Sequence, residues 1–311
     1  MEKLFSNINR CVWCDANLFN KTPRKLVAKD WANGGVEIYL YIQCVECSSW
    51  SLVNRPENGQ LSLYYPRDYQ PYAHQPHALN AVTPLGLSDD LKASCREQAP
   101  NHRVRILDYG CGSGAWLARA AKTFEQCDLS AVDFDTEDAQ QRIEWINHDV
   151  KFLNPAEFLC GQDRYQLMNF GHSLEHLSDP VEIIRRSVGR LTDFGIISIA
   201  LPIAESTSLK LFGPYWLALD APRHFSIPSE FAVVKALNDA GMTIALSFLY
   251  GSPTTALRSI SYAKQNMGLP FPGFDRVAGR ILRSGTALSI LGKVIKPSKL
   301  SLVAVKKPLI H

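Results

Sequence analysis

Two sets of side chains in this chain have the types and spacing that chemistry requires. Cys11-Val-Trp-Cys14 and Cys44-Val-Glu-Cys47 form C-x2-C … C-x2-C, two knuckles whose thiolates can close a tetrahedron on one zinc ion. Four thiolates leave no open coordination position, so such an ion is structural and lends folding energy to a segment too small for its own core. The other cysteines, Cys95, Cys111, Cys127 and Cys160, are scattered and read as small core residues. The second set is His172-Ser-Leu-Glu175-His176. Within a helix, H-x-x-E-H turns both histidines toward a metal and sets the glutamate to act on water, the arrangement of a zinc hydrolase. Here it follows the strand-like "YQLMNFG" and precedes "SDP", where Ser178 or Asp179 can cap a helix beginning near Pro180. The five residues therefore fall on a connection, which argues against the hydrolase; His172 reads as structural.

The elements that position these groups follow from the hydrophobic pattern. With 311 residues and 46% apolar composition the chain can bury a sizeable core. A net charge of +3 gives no reason to expect nucleic acid. The start, "MEKLFSNINRCVWC", has no apolar run of signal-peptide length, and the longest apolar stretch, around "GIISIALPIA", is too short to span a bilayer, so a cytoplasmic location is expected. After the knuckles comes a Tyr- and Pro-rich connection containing Tyr65, Tyr69 and Tyr72, then a helix near "LSDDLKASCREQ". From residue 104, apolar strands alternate with amphipathic helices, which indicates an α/β doubly wound parallel sheet carrying ligand chemistry at the strands' C-terminal ends. "FAVVKALNDAGMTIALSFLYG" and "LSLVAVKKP" supply a helix and two closing strands. Between those strands, about 253–295, lies a basic helical insertion, read as packing over the sheet edge, with a membrane surface or partner as the alternative.

The strand "RVRIL" runs into Asp108-Tyr-Gly110-Cys-Gly112-Ser-Gly114, and a helix follows at once. Glycines there let the backbone turn sharply and approach a ligand at the helix N-terminus. Gly110, Gly112 and Ala115 also satisfy the dinucleotide fingerprint G-x-G-x-x-G/A, so an NAD-linked oxidoreductase stands as one reading of the loop alone.

Taken with its neighbours, D-x-G-x-G-x-G resembles the first motif of class I S-adenosylmethionine-dependent methyltransferases, and "YQLMNFGHSLEHLSDPVEIIRRSVGRLTDFGIISIALP" resembles their stretch from the fourth strand through the fifth, with Gln166 in place of the usual Asp. "FGPYWLALDAPRHFSIPSEFAVVKALNDAGM" resembles the zinc-knuckle branch, whose members are often associated with sugar, surface-polysaccharide or secondary-metabolite biosynthesis. The resemblance implies a mostly parallel seven-stranded sheet of Rossmann-like methyltransferase type. It divides the chain into a zinc module over 1–60, a connection and helix over 61–100, and a cofactor domain over 101–311. It also implies S-adenosylmethionine as cofactor beside structural Zn2+, with the loop Asp108, Gly110, Gly112 and Gly114 around the methionine part. Asp133 takes the ribose hydroxyls, with Asp135 as fallback, and Asp149 meets the adenine amino group.

Methyl transfer to most acceptors requires removal of a proton, a task suited to a histidine of near-neutral pKa. His176 and His224 match positions that carry histidines in the deoxysugar C-methyltransferases. There the second histidine lies in a Tyr-Asp-Glu-His run, whereas this chain has Ala221-Pro222-Arg223-His224; Arg223 could hold an acceptor's phosphate or carboxylate. Tyr65, Tyr69 and Tyr72 could line the acceptor pocket. The expectation is a methyltransferase acting at oxygen or carbon of a small acceptor, such as a nucleotide-linked sugar, glycan precursor or secondary metabolite. A non-catalytic cofactor-binding scaffold or regulatory subunit is the rival from another class.

Overall fold

A computed structural model describes residues 5–66, 85–99, 101, 103–250, 253–267 and 299–306. The N-terminal part contributes β1 (Phe5–Asn7), β2 (Lys25–Ala28), β3 (Tyr39–Gln43), β4 (Trp50–Leu52) and β5 (Asn54–Pro56). Helix α1 (Asp89–Glu97) starts at Ser88, whose side chain accepts from the Leu91 amide, a serine N-cap. The remainder alternates as the pattern requires: β6 (Val104–Tyr109), α2 (Ala115–Thr123), β7 (Cys127–Val132), α3 (Thr136–Ile143), β8 (Val150–Leu153), α4 (Pro155–Cys160), β9 (Tyr165–Gly171), α5 (Pro180–Gly189) and β10 (Leu191–Pro202). Then follow α6 (Thr207–Phe212), β11 (Ser226–Ile227), α7 (Glu230–Asp239), β12 (Met242–Tyr250), α8 (Pro253–Met267) and β13 (Lys299–Lys306).

The large sheet has seven strands in the order β12-β13-β10-β9-β6-β7-β8. Only β13 runs against its neighbours, pairing antiparallel with β10 and β12. β9 is buried along nearly its whole length and β6 almost so, because helices cover both faces; such strands read as continuous rather than alternating apolar runs. The order reverses direction of growth at β6 and β9, and the crevice above their C-terminal ends is where an open α/β sheet receives its ligand. The Gln166 departure has a local reason: the buried side chain accepts from the Arg105 amide and donates to the Gln98 carbonyl, tying β9 to β6 and α1.

The N-terminal segment does not stand apart. β2, β3 and β4 form a second sheet whose fourth strand is β11, from the cofactor-domain chain, with Ser226 opposite Ser51 and Ile227 opposite Trp50. The Trp13 indole N–H donates to Ser226 Oγ at 2.9 Å, and Ser229 Oγ donates to the Cys47 carbonyl. The expected boundary near residue 60 therefore separates sequence segments that share one sheet. Of the expected helical insertion the structure describes α8, which packs on the turn Leu217–Leu219; the basic stretch "FDRVAGRILRSGTALSILGKVI" lies outside the described residues. No described helix is long and apolar enough to cross a membrane.

Candidate active site

The glycine loop sits where β6 ends. Asp108 is the buried penultimate residue of the strand, and Asn169 of β9 donates to its Oδ1 at 2.8 Å. Burial pushes the Asp108 carboxyl up to about 7, against the pull of that hydrogen bond. Gly114 caps α2 at φ 75°, and a Cβ there would stand 2.7 Å from Ile146 and 2.8 Å from Ile143, so the loop folds flat only because these atoms are missing. Gly112 has φ 53° with nothing within 4 Å of a Cβ position, so its main chain is open on the cavity side.

One cavity of about 1310 Å³ runs over the sheet edge from this loop. Asp108, Gly110, Gly112 and Asp133 line one end, and Tyr65, His176 and His224 line the same space further along. Gly114 lies behind that wall, against the isoleucines. Asp133 follows β7 directly; Arg142 of α3 donates to its Oδ2 at 3.1 Å and also to the Gly112 carbonyl, bracing the loop against the carboxylate. Burial raises the Asp133 pKa while Arg142 opposes the rise. Asp135 instead caps α3, accepting from the Asp138 amide. An exposed main chain at Gly112 and a buried acceptor at Asp133, facing one cavity, fit S-adenosylmethionine: Asp133 could take ribose hydroxyls and the loop the methionine part. Asp149 is exposed and precedes β8, which begins at Val150. It therefore stands at the strand's N-terminal end, away from the cavity, which corrects its expected adenine role; Pro155, just past the strand's C-terminal end, lines the cavity instead.

The H-x-x-E-H residues form a loop with one 3-10 turn, Leu174–His176, which leaves the α-helical hydrolase geometry unmet. His172 has φ 58°, a left-handed conformation uncommon for a non-glycine residue. The bend sends its Nδ1 to within 3.2 Å of Glu175 Oε1 and its Nε2 to within 3.3 Å of Lys299 Nζ. His176 and His224 meet edge to face, ring centroids 4.5 Å apart. Each has its Nδ1 on a main-chain carbonyl, that of Arg223 at 3.0 Å and that of Ala218 at 2.9 Å. A carbonyl can only accept, so at His224 Nδ1 carries the hydrogen and Nε2 keeps the lone pair, whereas His176 Nδ1 has a hydroxyl as well as a carbonyl beside it. The Tyr65 hydroxyl lies 2.8 Å from His176 Nδ1. Burial lowers the His176 pKa to about 4 and lowers that of His224 too, so both rings are neutral at pH 7.

Glu175 is the functional neighbour that sequence reasoning passed over. It is fully buried; Oε1 lies 3.9 Å from His224 Nε2, and Oε2 has no hydrogen-bond partner. Burial pushes its pKa up, yet the His172 hydrogen bond and the surrounding histidines bring it to about 2.

Arg223 corrects another expectation. Its side chain is wholly buried, with Nη1 and Nη2 on the two oxygens of Asp30 at 3.0 Å and Nε and Nη2 on Asp220 Oδ1 at 2.9 and 2.6 Å. Nη1 also donates to the Tyr64 carbonyl. A guanidinium has five N–H groups, and these contacts use them, so Arg223 clamps the N-terminal segment to the His224 loop and has none left for an acceptor. The cavity's described cations are Lys299 and Arg258 of α8. Tyr65 lines the cavity, while Tyr69 and Tyr72 lie outside the described residues.

The four knuckle cysteines come together. Cys11 and Cys47 sulfurs are 3.6 Å apart and those of Cys14 and Cys44 are 3.5 Å apart, with all four ligand atoms within 4.8 Å of one another. Burial and the adjoining sulfurs push the Cys14 thiol up to about 12. Four crowded, mostly buried sulfurs are a donor set that suits a thiophilic cation and leaves no place for a fifth ligand.

With this geometry in place, the comparisons bear on family. The methyltransferase domain family model matches residues 74–246, more than half of the chain. The chain belongs to that family and is an S-adenosylmethionine-dependent methyltransferase. Among solved structures, it is similar to an S-adenosylmethionine-dependent methyltransferase from Mesorhizobium loti (15% identity, 70% of this chain and 96% of that one, TM-score 0.43). It is also similar to a SAM-dependent methyltransferase from Archaeoglobus fulgidus (16% identity, 70% of this chain and 90% of that one, TM-score 0.44). No curated protein matches the chain.

Proposed function

We propose that the protein transfers the methyl group of S-adenosylmethionine to oxygen or carbon of a small acceptor, a nucleotide-linked sugar, glycan precursor or secondary metabolite, and that its four knuckle cysteines hold a structural zinc ion. The observation that carries this reading is one continuous cavity joining the glycine loop and Asp133 to the His176–His224 pair. When bound, S-adenosylmethionine supplies a methyl group made electrophilic by its sulfonium. Asp133 accepts the ribose hydroxyls, and Asp108 with the backbone of Gly110, Gly112 and Gly114 shapes the methionine end. At the other end, His176 and His224 offer ring-nitrogen lone pairs at the cavity wall, where the acceptor is activated at its reacting atom. Lys299 and Arg258 line the same space and favour an acceptor bearing phosphate or carboxylate.

The direct test is a mass-spectrometric screen for gain of one methyl group across nucleotide sugars and metabolites. His224→Ala is run beside it: cofactor binding kept and transfer lost supports the reading, and full activity removes His224 from it. A thermal shift with NAD in place of S-adenosylmethionine would overturn the cofactor assignment.

A further inference from the structure

We propose that Glu175, His176 and His224 form a second metal site, which takes a divalent first-row transition ion at the acceptor end of the cavity. This rests on reading the cavity as the methyl-transfer site and goes beyond it by naming what occupies the histidine lone pairs. Ligand atoms of the three residues lie within 4.8 Å of one another. His224 Nδ1 is held by the Ala218 carbonyl and His176 Nδ1 by the Arg223 carbonyl and the Tyr65 hydroxyl, outer-layer contacts of the kind that orient metal-binding imidazoles.

Glu175 supplies the independent observation. A fully buried carboxylate oxygen with no partner, here Oε2, is a costly arrangement in a protein interior. Lys299, the cation near it, reaches His172 Nε2 rather than the carboxylate. The resulting chain runs from Lys299 Nζ to His172, and from His172 Nδ1 to Glu175 Oε1. It holds Oε1, the oxygen that also faces His224 Nε2, and leaves Oε2 without a protein partner, so an ion bound by the carboxylate through both oxygens would satisfy the unmet acceptor. The 3.9 Å between His224 Nε2 and Glu175 Oε1 is about half an ångström longer than the edge, roughly 3.4 Å, of a tetrahedron with metal–ligand bonds of about 2.1 Å.

Two imidazoles and one carboxylate suit Zn2+, Fe2+, Co2+ or Ni2+ and discriminate against the hard ions Mg2+ and Ca2+. Three protein ligands leave a coordination position open. Because His176 and His224 line the cavity, that position faces the acceptor space and takes water or an acceptor oxygen.

The experiment uses the full chain and two probes, Zn2+ and Co2+. Elemental analysis after Zn2+ saturation and desalting should give two equivalents for the wild type and one for Glu175→Gln and for His224→Asn. Cys44→Ser is the reciprocal variant and should lose the other equivalent. Co2+ added to protein that already holds zinc at the cysteines should give visible d–d bands without thiolate charge transfer, and Glu175→Gln should weaken Co2+ binding at least ~10-fold. Calorimetry with S-adenosylmethionine checks that each variant is folded. A wild type that stays at one zinc equivalent and develops no Co2+ band up to millimolar concentration overturns the metal site. If it still transfers methyl groups, the proposed function stands without the site. If no methyl transfer or cofactor binding is found while Co2+ binds, the functional reading fails and the metal site survives.

Discussion

The molecule gathers metal-type ligands in two places, and they are built in opposite ways. At the N-terminus four sulfurs face one another, with Cys11, Cys44 and Cys47 almost wholly buried, and the cluster is ringed by Trp13, Leu18 and Ile42 of the core. At the sheet edge, a carboxylate and two imidazoles are equally well anchored from behind, yet two of the three line a large cavity. The first set is closed on itself and can only hold structure together. The second keeps one side free and can act on something that enters. Complete coordination against incomplete coordination separates a folding device from a reactive one more clearly than residue type does.

The largest expected effect breaks the closed site. If the four cysteines hold the proposed zinc, Cys44→Ser should remove a large part of the folding energy, read as loss of zinc and a strongly lowered, broadened thermal transition. Next comes the clamp between the regions: Arg223→Ala leaves the buried Asp30 without its cation and takes it from the half-buried Asp220 as well, and should cost ~3–5 kcal/mol in denaturant unfolding. Cofactor affinity should change far less than stability does. At the open site, His224→Ala should lower methyl transfer by roughly 10²–10⁴-fold with cofactor binding unchanged. Asp133→Asn should weaken cofactor binding by ~10–100-fold, the loss of charge-assisted hydrogen bonds, as measured by calorimetry.

The last effect is in pH. The His176 pKa is about 4 in the folded protein against 6.5 for an ordinary histidine, so the unfolded chain binds its proton first. Stability present above about 6.5 should therefore be lost progressively as pH falls toward 4. His176→Gln should flatten that slope in a series of thermal midpoints.

Much of this was legible from residue order because the signals are local. The knuckles, the strand-loop-helix around Gly110 to Gly114 and the helix start at Asp179 and Pro180 each declare themselves within a dozen residues. Asp149 went wrong at a strand of four half-buried or exposed residues, where no alternation fixes the boundary and a shift of a few residues moves a side chain to the opposite end of the sheet. Arg223 went wrong because its partner Asp30 is 193 residues away; a guanidinium met in sequence looks free. Glu175 stood in plain view within "EHLSDP", but only the folded loop shows that one of its oxygens has no partner.

The two-residue strand β11 has a consequence out of proportion to its length. It begins two residues after His224 and is stitched to Trp50, Ser51 and Trp13, so the loop that carries the histidine is shaped by residues contributed by the first fifth of the chain. Cutting the protein near residue 60 would remove a template rather than an accessory. Evolution could vary the acceptor through the cavity wall, but the N-terminal segment and the histidine loop have to be inherited, and have to melt, together.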